Sequence, residues 1–153
     1  MKSDSRTSGI DLNLFRHSVY GRVKTFEVDR QNIVHNVIYL YWLEHARVEY
    51  VRSLGILMNA TTFIDHHTFV VAKTEINYFA PALFDQEYTV LTRIPSIGNS
   101  SFVFEQIILL TESSTILVSA QSVLVQLHPE TKLSEPISED FRKKVMAYES
   151  ANI

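Results

Sequence analysis

Seven consecutive apolar residues, Val37-Ile38-Tyr39-Leu40-Tyr41-Trp42-Leu43, constrain this chain more than any other feature. Alone, such a run suits a buried strand as well as a buried helix. The residues that follow decide between them. Val48, Val51 and Leu54 recur at a spacing of three, Glu44, His45, Arg47, Glu49 and Arg52 fill much of the rest, and Gly55 offers a C-terminal stop. One helix is therefore expected from Asn36 to Leu54, apolar all round in its first half and amphipathic in its second. Such a helix has to be wrapped by other structure near its N-terminus.

The wrapping has to come from strands. Ser18 to Val28 alternates in the period-two manner of a half-buried strand. Asp29-Arg30-Gln31-Asn32 then forms a tight polar loop, with Asn32 suited to positive φ. After the helix come four strand-like runs, Thr68–Phe79, Glu87–Pro95, Ser101–Leu110 and Thr115–Leu127. Their short breaks read as hairpins and so as antiparallel neighbours. Small residues at Ser119, Ala120 and Ser122 let a helix approach the sheet closely, and Ile137 to Tyr148, preceded by Pro136, reads as a short terminal helix. The expected class is α+β, an antiparallel sheet of about five strands around one long helix. Residues 1–14 are read as a loose leader and residues 15–153 as a single domain.

A chain of 153 residues is long enough to bury one substantial core. Its net charge of -3 provides no global attraction for a polyanion, so no nucleic-acid partner is expected, although local basic groups can still hold phosphates. With no cysteine there is no disulfide, thiolate nucleophile or thiolate metal site. Met1 to Ser8 lacks the apolar core of a secretory signal and no apolar run approaches the ~18 residues of a membrane span, so a cytoplasmic protein is expected. The G-x-S-x-G, P-loop, G-x-G-x-x-G and H-E-x-x-H motifs are all missing. Asp65-His66-His67 is the densest metal-like cluster, but adjacent side chains rarely converge on one ion, and no metal is expected.

The stretch VDRQNIVHNVIYLYWLEHAR, Val28 to Arg47, resembles the signature of the 4-hydroxybenzoyl-CoA thioesterase family of hotdog proteins: an Asp after the first strand, a turn residue three positions later, and an apolar helix ending in Glu-x-Ala-Arg. Here these are Asp29, Asn32 and Glu44-His45-Ala46-Arg47. INYFAPALFDQEYTVLTRI, Ile76 to Ile94, is similar to the family's strand and Ala-Pro-Ala bend, and Ser101 to Glu105 to a third landmark. The chain departs from the family in carrying Asn32 where Gly is usual, and Gly98-Asn99 where basic residues often stand.

The resemblance implies a hotdog acyl-CoA thioesterase acting on a fatty or aromatic acyl-CoA, with Asp29 as nucleophile or general base and Glu44 as a second candidate. It also implies dimers or tetramers made by joining sheets. No cofactor is expected, since coenzyme A is part of the substrate. The physics is compatible: a carboxylate attacks the thioester or activates water, while free N–H groups at Asn36 and Val37 stabilise the oxyanion, each contributing about 3 kcal/mol. His35 is a candidate to orient substrate or water. Ser101, Arg93 and Lys132 are candidates for the coenzyme A moiety. The depth of the acyl pocket is expected to depend on the packing of Tyr39, Trp42, Phe69 and Phe79. Read without the resemblance, Asp29 is a turn-former or helix cap. The alternative functions are a non-catalytic acyl-CoA-binding module and a hotdog hydratase or dehydratase.

Overall fold

The computed structural model describes residues 5–62 and 68–150, so the Asp65-His66-His67 cluster lies outside the described residues. The order of elements is β1 (His17–Arg22), α1 (Asn36–Ser53), β2 (Phe69–Tyr78), β3 (Glu87–Ile97), β4 (Ser101–Leu110), β5 (Ile116–Gln126) and α2 (Glu139–Ser150). Every strand pair is antiparallel and the sheet order is β1-β3-β4-β5-β2. The expected five-strand sheet and long helix are both present. No helix among the described residues is long and apolar enough to cross a membrane.

The sheet differs from expectation in two ways. First, the run expected as one strand over Ser18–Val28 stops at Arg22 and turns through a 3-10 segment, Thr25–Glu27. Second, the Pro81–Gln86 break is no hairpin: β2 pairs with β5, and the chain crosses the end of the sheet to reach β3. Three strand spacings are roughly 14 Å, within reach of a short extended connection. The crossing is tied down where α1 begins. Ala82 N donates to the Tyr39 hydroxyl at 2.9 Å, Val34 N donates to Ala82 O, and Phe84 N donates to Asn32 Oδ1 at 2.8 Å.

Helix α1 buries Tyr39, Trp42, Leu43, Ala46 and Tyr50, spaced along one face at helical intervals, against the sheet. Ala46 is fully buried in the cluster that includes Ala120 of β5, as the small residues of that strand foretell. A second cluster joins Tyr50 and Leu54 to Phe102 and Phe104 of β4 and to Phe141 and Val145 of α2. Gln106, 1% exposed, bolts helix to sheet: its Nε2 donates to Leu43 O and Thr92 Oγ1, and its Oε1 accepts from Arg47. The wrapping of α1 is incomplete, however. Val37, Leu40 and Tyr41 are 50%, 40% and 65% exposed, so the face opposite the sheet stays open within one protomer.

Residues 5–14, expected as a loose leader, carry a 3-10 turn at Leu12–Leu14, and the Arg6 guanidinium lies 5.3 Å from the Phe79 ring centroid. At the start of β1, His17 is buried edge-on against Tyr50 and its Nδ1 has no partner among the described residues. Burial lowers its pKa, against the opposing pull of Glu49. Below its ordinary pKa of ~6.5, the unfolded chain therefore binds a proton that the folded protein refuses, so stability falls as pH is lowered through that window. Thermal melting from neutral pH downward should show this decline, and His17→Phe should flatten it; an equal slope in the variant would assign the acid sensitivity elsewhere.

Candidate active site

The loop before α1 is a small antiparallel hairpin. Val28 bridges Val34, Asp29 N donates to Ile33 O, and His35 N donates to Glu27 O. Asn32 sits at φ 64, the left-handed conformation that Asn tolerates, and so replaces the glycine expected there. Asp29 Oδ1 accepts from Gln31 N at 2.7 Å and from Ile33 N at 3.1 Å, an Asx-type turn. Oδ2 accepts no hydrogen bond among the described residues, and the side chain is exposed. The carboxylate is thus clamped at one oxygen and presented at the other.

The Asp29 carboxylate does not fold back onto the amides at the start of α1, because the amides it meets belong to its own loop. Asp29 stands two to three rungs up the hairpin from Asn36, roughly 7–10 Å of strand. Asn36 N and Val37 N, at the helix start, make no hydrogen bond among the described residues, and both residues are exposed. His35 occupies the N-cap position without a side-chain cap bond. The Tyr78 hydroxyl donates to Asn36 O at 3.0 Å, so the end of β2 borders the helix start.

Glu27 is a buried carboxylate that sequence reasoning missed. It is 5% exposed; Oε2 accepts from the Trp42 indole at 2.8 Å and Oε1 from Lys24 N at 2.8 Å. Trp42 stacks on Tyr88 at 3.8 Å, and burial together with the Glu27 charge pushes the Tyr88 hydroxyl up to about 12. Glu27 therefore holds the hairpin bearing Asp29 against the core. A partner fifteen residues away in α1 leaves no local trace in the sequence.

Glu44 lies two turns further along α1, exposed and with no hydrogen bond or ion pair among the described residues. The arginines at helical spacing from it bond elsewhere: Arg47 donates to Gln106, and Arg52 bonds Glu49 and Met58 O. Burial draws the Arg47 guanidinium pKa down, and the nearby Glu44 charge opposes it. Glu44 and Arg47 border a groove of about 280 Å³ between α1 and the sheet, lined by Val48, Val51, Phe69 and Phe102 among others. Of the aromatics expected to shape the pocket, only Phe69 lines it; Tyr39 and Trp42 are core residues, and Phe79 lies beneath Arg6.

The three coenzyme A candidates are dispersed. Arg93 is engaged by Glu105 Oε2 at 2.8 Å and lies over the Phe15 ring. Ser101 opens β4 opposite Val125. Lys132 is exposed in a turn at φ 59 and makes no ion pair among the described residues. No group of three or more His, Asp or Glu side chains that could hold a metal ion occurs among the described residues.

A sheet of this order around one long helix, with a carboxylate-bearing loop at the helix start, defines a class of protein, and the comparisons place the chain within it. The thioesterase superfamily profile matches residues 31–116, more than half of the chain, and the chain belongs to that family. It is 32% identical, over 120 residues, to the acyl-CoA thioester hydrolase YbgC of Escherichia coli O6:H1, covering 78% of this chain and 87% of that one. A thioesterase from Thermus thermophilus, complexed with coenzyme A and Zn, superposes with a TM-score of 0.77 at 26% identity, over 89% of this chain and 96% of that one. A 4-hydroxybenzoyl CoA thioesterase complexed with 4-hydroxybenzoyl CoA superposes with a TM-score of 0.75 at 16% identity, over 84% of this chain and 96% of that one. The hotdog fold expected from the sequence is the fold observed.

Proposed function

We propose that this chain hydrolyses acyl-CoA thioesters to the free acid and coenzyme A, with Asp29 as the reacting carboxylate. The Asp29 loop carries this reading. Two backbone amides hold Oδ1 in place and leave Oδ2 free to attack the thioester carbonyl or to take a proton from water. The Asn36 and Val37 amides are donors for the oxyanion, with the positive end of the α1 dipole behind them. Because the hairpin separates Asp29 from those amides within one protomer, the complete site forms where two copies meet. Supporting this, the start of α1, whose face opposite the sheet is open, meets the end of β2 at Tyr78, and β2 is an unpaired edge of the sheet. His35 stands between the two groups and orients substrate or water. Glu44 takes a supporting role beside the acyl group.

The reaction needs no resident cofactor, because coenzyme A arrives and leaves as part of the substrate. For its phosphates, Lys132 and Ser101 remain available, whereas Arg93 is engaged by Glu105. The setting proposed is the cytoplasm and the assembly a homodimer or a pair of dimers. Incubating the purified protein with a panel of acyl-CoAs and titrating free thiol tests the activity. Release of coenzyme A is expected; binding without release would make the chain an acyl-CoA-binding module, and an altered acyl group without release a hydratase or dehydratase.

A further inference from the structure

We infer that Phe69 sets the length of acyl chain this site accepts and that the acyl group is a straight aliphatic chain, an inference that rests on the hydrolase reading above. Two hollows lie end to end along the C-terminal half of α1. The first is the groove of about 280 Å³ beside Glu44 and Arg47, whose other lining side chains among the described residues are all apolar. The second, of about 490 Å³, is bordered by polar groups that include Thr68, Gln126, Glu135 and Lys144. Among the described residues, Val51 and Phe69 alone line both. Phe69 is the partition between an apolar groove and a polar one.

The partition is braced. The Phe69 ring meets Phe102 edge-on at 4.9 Å and Phe141 of α2 at 5.1 Å, and those two rings are 5.3 Å apart. A chain end reaching Phe69 therefore meets a ring held from two sides. From Glu44 to Val51 the helix advances roughly 10 Å, so the groove follows an extended chain along α1. Beyond Glu44 and Arg47 no lining side chain among the described residues offers a hydrogen bond, and a polar or highly branched acyl group would be desolvated against them without compensation. Each methylene buried before the partition is expected to raise kcat/KM by up to about fourfold, with the gain ending where the chain meets Phe69.

The test is coenzyme A release from straight-chain acyl-CoAs, stepped from short to long in even-carbon increments, by wild type, Phe69→Ala and Val51→Phe. Phe69→Ala joins the two hollows and should move the optimum to longer chains by about two carbons or more; Val51→Phe narrows the same passage and should move it to shorter ones. Val51 is half-buried, which keeps the test available should Phe69→Ala fold poorly. The same chain-length profile in all three proteins overturns the inference while leaving the hydrolase intact. An unchanged profile accompanied by loss of the dimer assigns the groove to the subunit contact, which also overturns it. No release from any acyl-CoA sinks the hydrolase reading, and this inference with it.

Discussion

Asp29→Asn is expected to lower kcat on the preferred acyl-CoA by at least about a hundredfold with little change in Tm. The structure makes this substitution unusually clean. Asn retains an Oδ1 that accepts from Gln31 N and Ile33 N, so the Asx turn, the Asn32 conformation and the hairpin should all persist. What disappears is the charge and basicity of Oδ2, the oxygen with no hydrogen bond among the described residues. A residue serving only as a turn-former predicts the opposite, because Asn forms such turns as well as Asp does. Glu44→Gln should have the smaller effect. Near-wild-type turnover by Asp29→Asn would remove it from the mechanism and make Glu44, exposed beside the apolar groove and without an ion pair among the described residues, the leading carboxylate.

The second large effect concerns assembly. Single exposed apolar side chains are ordinary, but Val37, Leu40 and Tyr41 are exposed together on the first half of α1, and Tyr78, exposed at the end of β2, donates to Asn36 O where that half begins. Beside this apolar face runs the unpaired edge of β2, a template for a further strand. A second copy related by a two-fold axis would cover both at once. Leu40→Asp puts a carboxylate into that contact twice. At about 2 kcal/mol per position the dissociation constant should rise roughly a thousandfold. Light scattering at micromolar concentration should then show a dimer or larger for wild type and a monomer for Leu40→Asp, with turnover lost in parallel and Tm of the monomer little changed, since Leu40 is already 40% exposed in the protomer. A wild-type monomer with full turnover would refute the shared site and leave Asp29 to act within one chain.

Local patterning made much of this fold legible. The helix over Asn36–Ser53 and the strands β3, β4 and β5 appear within a residue or two of expectation, because apolar periodicity and β-branched content are properties of each segment alone. Asn32 at φ 64 was likewise readable, since few other residues adopt that conformation cheaply. Asp29 and Glu44 became candidates through the family resemblance that the motif from Val28 to Arg47 carries, and Asn36 through its place at the expected helix start.

Contacts between distant segments were decided only by the tertiary structure. A short Pro-containing break reads as a hairpin, yet β2 pairs with β5, because the crossing segment is held by Tyr39, Val34 and Asn32, residues some forty or fifty positions earlier. A seven-residue apolar run says that its positions avoid water, but not that Val37, Leu40 and Tyr41 stay exposed in the protomer. A glutamate in a polar stretch reads as exposed until Trp42 is found donating to Glu27. Sequence period reports how apolar a position is, whereas which element covers it, and whether two carboxylates share a pocket, depends on packing between segments that local pattern does not encode.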